Sequence, residues 1–210
     1  MTIDWLMFLP ALFLLLTPGD LFNGGKVRYR DVTRDWHDYW LRALAHGLHT
    51  IDLGRAALGT WLLLSSIEGI PDSHGLMKYA PLLLQGSIRL VAVLTQTVVC
   101  RERDAANAPF AFVIGLLLAG TSPEVNVLAV VLAATLALGS RTPVAFFPVV
   151  ALAHLGIGFW FEGKRAVLGL AVGSVAAVMP FLWAMMFHRD LVVAYRAKRQ
   201  TVEHQLPPPR

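Results

Sequence analysis

The sequence has a single cysteine, Cys100, among its 210 residues. One cysteine excludes an internal disulfide, a C-x-x-C redox pair and a metal site built from several thiolates. Complete catalytic motifs are missing as well: we find no P-loop, no G-x-S-x-G turn and no H-E-x-x-H pair. No lysine lies deep in the last apolar segment, which excludes the Schiff base that a retinal protein would need there.

Charged residues are scarce. Asp, Glu, Lys and Arg make up 15% of the chain, whereas 56% of the residues are hydrophobic and the mean hydropathy is +0.57. A soluble domain does not need so much apolar surface to fill one core, so many of these side chains must face lipid. Because the apolar runs are long and unbroken, they favour helices over a β-barrel. The sequence therefore predicts an all-α, polytopic integral membrane protein.

Seven apolar segments come close to the length of about 20 residues that one span requires. They cover residues 3 to 19, 48 to 67, 79 to 100, 108 to 121, 124 to 139, 143 to 161 and 166 to 187. We expect seven spans, with six as the alternative count. The fourth and fifth segments are short and meet at a Gly-Thr-Ser-Pro turn, so a re-entrant pair that never fully crosses is a second interpretation. Residues 1 to 200 form one predicted transmembrane domain, and residues 201 to 210, with three successive prolines, a disordered cytoplasmic tail.

The distribution of Lys and Arg predicts the orientation. With the N-terminus outside, only Lys78, Lys164 and Arg165 of the 18 basic residues fall in external loops, and two more lie within spans. The other basic residues are then cytoplasmic, which is the bias that sets topology. We therefore expect the N-terminus outside and the C-terminus inside. The net charge of +4 reflects these loops, and nucleic acid is not an expected partner. The absence of disulfides is compatible with a bacterial inner membrane.

Residues 26 to 41 mix charges with Tyr29, Trp36, Tyr39 and Trp40, a composition typical of an interfacial helix. No proline occurs from 31 to 67, so a single helix over that stretch would reach about 55 Å and would have to project from the membrane or bend.

The second segment carries His46, His49, Asp52 and Arg55 at successive three-residue steps. Such a series drifts around a helix, so only neighbours in it can touch. His46 and His49 are candidate metal or haem ligands, with His154 of the sixth segment as the opposing axial ligand. The predicted depths fit such a pairing poorly, and histidines hydrated at the interface are the simpler interpretation. No cofactor is identified.

The third segment places Gln85, Arg89, Ala92 and Gln96 on one helical face. Arg89 lies near the middle of its span, where an ionised side chain costs at least about 2.5 kcal/mol, so it needs a partner.

Two buried arginines, Arg55 and Arg89, share one deep carboxylate, Asp52. One interpretation is a structural network completed by Gln85, Gln96 and the carbonyls at helix ends. The other is a site for a lipid phosphate or small anion, in which the unmatched charge does the binding.

Small residues recur every four positions at Gly169, Gly173 and Ala177, and at Ala129, Ala133 and Ala137. Such seams mostly serve packing within one chain, although association of two copies is an alternative.

Three classes of function remain. The first is a non-catalytic subunit or assembly factor of a membrane complex, favoured by the short loops and the missing catalytic motifs. The second is a carrier or binder of a lipid or small anion through Arg55 and Arg89, with Gln85, Gln96 and Asp52 as further candidate binding residues. The third is an intramembrane enzyme or redox protein using His46, His49, Asp52 and His154. Membrane lipids are expected partners in each case.

Overall fold

The computed structural model describes residues 2–19, 21, 27–31, 47–69, 78–98, 105–164 and 166–196. Seven α-helices lie within these residues, and each predicted apolar segment overlaps one of them, although three helices extend one residue beyond the predicted bounds. They are α1 (Trp5–Leu16), α2 (Gly47–Ser66), α3 (Ala80–Val98), α4 (Phe110–Leu118), α5 (Pro123–Gly139), α6 (Phe146–Glu162) and α7 (Val167–Met186). The predicted tail, 201 to 210, lies outside the described residues.

Three of the described helices are long and apolar enough to cross a membrane. These are α3, α7, and α6 extended by the short 3-10 turn Pro143–Ala145 that precedes it. Helices α1 and α5 are apolar but shorter. The chain is therefore a mostly helical membrane protein.

The described residues are mostly helical, as expected, but they also form five short strands that an all-α fold does not include. Strands β1 (Thr2–Ile3) and β3 (Ile67–Glu68) pair antiparallel, and β2 (Val27–Asp31), β4 (Ala105–Asn107) and β5 (Asp190–Arg196) form a second sheet. In that sheet β5 is central, antiparallel to β2 and parallel to β4. These strands pair across long stretches of sequence, so local periodicity did not reveal them.

The interfacial helix predicted for 26 to 41 is wrong at 27 to 31, where the chain forms β2. A single helix from 31 to 67 is wrong for the same reason at its start, since Asp31 belongs to that strand. Within the described residues, the second helix begins at Gly47. The remainder of both predictions, residues 32 to 46, lies outside the described residues.

The two sheets mark opposite ends of the bundle. Helices α1, α3 and α7 each run towards the larger sheet, because β2, β4 and β5 follow them in the chain. We call this the sheet end. Helix α1 begins and α2 finishes at the other end, where β1 pairs with β3 and the amide of Asp4 donates to the carbonyl of Ser66 at 2.8 Å.

Small residues bring the helices into close contact. Helix α2 packs against α1 and α4, and α6 packs between α5 and α7. The alanine seam of α5, Ala129, Ala133 and Ala137, is fully buried, as are Gly173 and Ala177 of α7. These five residues therefore pack within the chain, whereas Gly169, the first member of the predicted α7 seam, is half-buried and has no atom within 4 Å of where a Cβ would lie.

The turn between α4 and α5 is half-buried and packs against α3 and α6. Helix α4 has nine residues, about 14 Å of helix, against roughly 30 Å of hydrocarbon. The turn that follows, 119 to 122, reaches the middle of α3 and of α6: Gly120 lies against Arg89, and Thr121 contacts His154. The short fourth segment thus ends at a turn that contacts both of the longer helices.

Candidate functional site

The polar stripe of α3 faces the interior, as predicted: Gln85, Arg89, Ala92 and Gln96 are all buried. Seven residues separate Arg89 from Gln96, which is about two helical turns or 10 Å. The stripe therefore contributes to two polar clusters. The sheet-side cluster consists of Asp52, Arg55 and Gln96. The mid-bundle cluster consists of Arg89, Thr121, Asn126, His154 and Ser174.

Arg55 is the centre of the sheet-side cluster. Its Nε donates to Oδ1 of Asp52 at 2.7 Å, and its Nη2 donates to Oε1 of Gln96, also at 2.7 Å. Its Nη1 donates to the carbonyls of Leu14 and Thr17 at 3.0 and 2.5 Å. Asp52, the one deep carboxylate that the sequence offers, is thus paired with Arg55.

The carbonyl acceptors belong to the last turn of α1, which explains why a cation sits there. The final carbonyls of a helix have no partner within it and carry a partial negative charge. Gln96 adds a second donor, since its Nε2 bonds the Thr17 carbonyl at 3.1 Å while its Oε1 accepts from the amide of Gly19. The guanidinium carbon also lies 4.8 Å from the ring centre of Phe112, a cation–π contact. Arg55 therefore joins α1, α2, α3 and α4.

Arg89 has a different environment. It is 3% exposed, and its hydrogen bond within the described residues is a long one, from Nε to the Gln85 carbonyl of its own helix at 3.4 Å. Among the residues that the structure describes, no carboxylate lies within 4.0 Å of its guanidinium. Arg89 is therefore the buried cation whose charge Asp52 does not balance.

Gly120 allows the turn to approach Arg89 closely. A Cβ atom at this position would lie 3.3 Å from Nη1 of Arg89 and 3.4 Å from the carbonyls of Leu116 and Leu117. Those carbonyls end α4, so the guanidinium lies near the negative end of that helix dipole. The dipole end carries about half an elementary charge and balances a full positive charge only in part.

His154 is held between two hydroxyl groups. It is 1% exposed, and its Nε2 and Nδ1 each lie 3.1 Å from a hydroxyl oxygen, of Thr121 and Ser174 respectively. The hydrogen bonds of Asn126 determine which way the Thr121 hydroxyl donates its proton. Its Nδ2 donates to the Thr121 carbonyl, so its Oδ1 accepts from the Thr121 hydroxyl at 2.9 Å.

The proton on Nε2 of His154 follows from these bonds. Because the Thr121 hydroxyl has one hydrogen and gives it to Asn126, the ring must donate to Thr121 from Nε2. The other ring nitrogen, Nδ1, faces the Ser174 hydroxyl, which can act as donor or acceptor. The ring therefore carries a proton on the side of the turn.

The start of α5 is also fixed at this turn. Pro123 occupies the first helical position, and the amide of Ser122 donates to Oε1 of Glu162 at 3.0 Å. A carboxylate at a helix N-terminus is favourable because it meets the positive end of the dipole. Glu162 thereby ties the turn to the end of α6.

Sequence reasoning missed four participants: Thr121, Asn126, Glu162 and Ser174. A signal existed for Asn126, which precedes the alanine seam of α5 at helical spacing and therefore shares its buried face. The other three carried no such signal, because their partners are distant in sequence.

The proposed metal or haem ligands remain untested predictions. His46 lies outside the described residues, His49 lies in α2 and His154 in α6. In the part of the chain that the structure describes, no three side chains of His, Cys, Asp or Glu come together as metal ligands would.

No protein-family model, curated protein or solved structure matches this chain.

Proposed function

We propose that this membrane protein binds a small anion inside its helical bundle, with Arg89 as the principal contact. The observation that carries the proposal is the charge of Arg89, which is buried and without a carboxylate partner among the described residues. An ionised side chain at such depth costs at least about 2.5 kcal/mol. A bound anion offsets that cost.

The chemistry of the surrounding groups favours a small oxyanion or carboxylate. A guanidinium binds two oxygens of such a group side by side, which a spherical ion cannot match. The turn at Gly120 places backbone rather than a side chain beside Nη1.

Arg55 has another role in this proposal. Four of its hydrogen bonds go to Asp52, Gln96 and the end of α1. These acceptors support a structural function for Arg55. In this proposal Arg55, Asp52 and Gln96 are therefore not part of the anion site, and Arg89 is the binding residue.

The proposed topology has five crossing helices and one re-entrant pair, α4 and α5, in a bacterial inner membrane. Helix α4 starts at the sheet end and α5 returns towards it. The chain therefore enters and leaves this pair on the same side of the membrane, and the other helices still cross in alternating directions. The N-terminus is then outside and the C-terminus inside, in agreement with the distribution of Lys and Arg.

The test is saturable stabilisation by an anion. Purified protein in detergent would be titrated with nitrate, acetate and phosphate at constant ionic strength, and the unfolding midpoint followed through tryptophan fluorescence. At a concentration of 100 Kd, a ligand of the folded state adds about 2.7 kcal/mol of stability. We expect at least one anion to do so in the parent, less in Arg89→Lys and not at all in Arg89→Gln.

A matched control is Arg141→Gln, which removes an exposed cation between α5 and α6. It should respond to the anion like the parent. Absence of any saturable shift in the parent, or an undiminished shift in Arg89→Gln, would overturn the proposal.

The expectation of a non-catalytic subunit or assembly factor stays a prediction, as does that of an intramembrane redox protein. Copurification of a partner in fixed stoichiometry would support the first. A visible absorption band in the purified protein would support the second.

A further inference from the structure

A crevice of about 570 Å³ opens at the sheet end, between the start of α6 and the end of α7. Val144, Phe181 and Met185 contribute to its apolar wall, and His188, Arg189 and Asp190 contribute to its polar rim. The mid-bundle cluster contributes none of these residues.

The crevice lies where the surface changes from apolar to charged. Helix α7, one of the helices long enough to span a membrane, ends at Met186. Met185, Met186 and Phe187 are exposed by 59%, 67% and 47%, and the charged rim follows immediately. Such a step is expected at the level of the lipid headgroups.

The backbone fixes the rim in position. His188 adopts a left-handed conformation, with φ of 49°. The amide of Arg189 donates to the Ala184 carbonyl at 2.9 Å, and the amide of His188 donates to the Met185 carbonyl. This pair of bonds is the Schellman ending of a helix, with histidine where glycine is commonest. Asp190 then enters β5 and pairs with Ala105 of β4.

Arg189 and Asp190 offer one charge of each sign. Within the described ranges, neither side chain forms a salt bridge. A ligand that fits this rim carries an anionic and a cationic group a few bonds apart. An anionic headgroup would leave Asp190 opposed by negative charge, and a choline headgroup has no N–H with which to bond a carboxylate.

We propose that this crevice binds an ethanolamine phospholipid. The phosphate lies at Arg189, the ammonium group donates to Asp190, and one acyl chain follows the apolar wall along Phe181 and Met185. Charge complementarity at the rim and the apolar wall below it both favour this occupant. The inference does not depend on the anion site at Arg89.

The experiment is a competition between headgroups. Delipidated full-length protein in detergent would be mixed with equal amounts of phosphatidylethanolamine, phosphatidylcholine and phosphatidylglycerol that carry identical acyl chains, and native mass spectrometry would measure the first bound lipid. We expect phosphatidylethanolamine to be preferred about tenfold, the ratio that 1.4 kcal/mol produces.

Two variants separate the contacts. Asp190→Asn should bind phosphatidylethanolamine and phosphatidylcholine equally, because the carboxylate is gone. Arg189→Gln should lose most binding of both lipids, and Arg189→Lys should retain it. Asp190 is exposed and Arg189 half-buried, so these side chains contribute little to folding. Arg141→Gln, a cation exposed outside the crevice, is the matched control and should bind like the parent.

Equal binding of the three lipids by the parent would overturn the proposal, as would a preference for phosphatidylglycerol. An ethanolamine preference that persists in Asp190→Asn would also contradict it, since the ammonium group would then be recognised elsewhere.

Discussion

Replacing Arg55 with glutamine removes the cation that joins the end of α1 to α2 and α3. Four hydrogen bonds disappear together: those to Asp52, to Gln96, and to the carbonyls of Leu14 and Thr17. A glutamine side chain is shorter and reaches at most one of these acceptors. The perturbation therefore removes one donor from each acceptor, and only the Thr17 carbonyl and Oε1 of Gln96 keep one of the bonds described above, from Nε2 of Gln96 and the amide of Gly19.

The expected cost follows from the burial of those groups. Breaking a buried ion pair by removing one partner costs about 3 to 5 kcal/mol. The side chain of Arg55 is 4% exposed, whereas that of Asp52 is 30% exposed and can regain water. We therefore expect a loss at the lower end, about 3 kcal/mol. Arg55→Lys, which keeps the charge without the planar fork, should lose less.

Unfolding in detergent can be followed through the six tryptophans as temperature or denaturant increases. Asp52→Asn should cost less than Arg55→Gln, and the double variant should cost less than the sum of the two, because both lose one shared bond. Arg141→Gln serves as the control for loss of an exposed charge.

A stability of Arg55→Gln within about 0.5 kcal/mol of the parent, the range typical of surface substitutions, would refute this reasoning. Additive single and double variants would refute the pairing of Arg55 with Asp52 specifically.

Three further predictions concern packing, the turn and topology. In α6, Gly158→Ala should lower the unfolding midpoint because its Cβ would collide with the Leu170 side chain, whereas Gly156→Ala, with open space at that position, should not. In the same unfolding assay, Thr121→Val should cost about 1 to 3 kcal/mol by removing the hydroxyl between His154 and Asn126; Thr135→Val, which removes an exposed hydroxyl of α5, should stay within about 0.5 kcal/mol. Reporters fused after Arg199 or within 31 to 38 should read cytoplasmic and one within 72 to 75 external; an external reading after Arg199 would contradict the orientation.

The helices and the buried face of α3 could be predicted because their signals are local. Apolar runs give the positions of the seven helices, and helical spacing places Gln85, Arg89 and Gln96 on one face. Helical spacing alone allowed either Arg55 or Arg89 to pair with Asp52. Only the fold shows that Arg55 takes this carboxylate and Arg89 does not.

The partners that sequence could not reveal are backbone groups and distant side chains. Every residue has a backbone carbonyl, so the sequence does not show that those of Leu14 and Thr17 accept hydrogen bonds from Arg55. The turn lies beside Arg89 because α4 ends at Leu118, and the amino-acid composition of α4 does not predict that end. The pairing of β5 with β2 joins residues about 160 positions apart, beyond the reach of any local pattern.

The order of strands in the larger sheet has a consequence for how the protein is made. Strands β2 and β4 are synthesised early, but neither pairs with the other; both pair with β5, which follows all seven described helices in the chain. Until the ribosome has produced residues 190 to 196, each earlier strand has an unpaired edge that this partner will later cover. The larger sheet can therefore be completed only after the segment that follows α7 has been made.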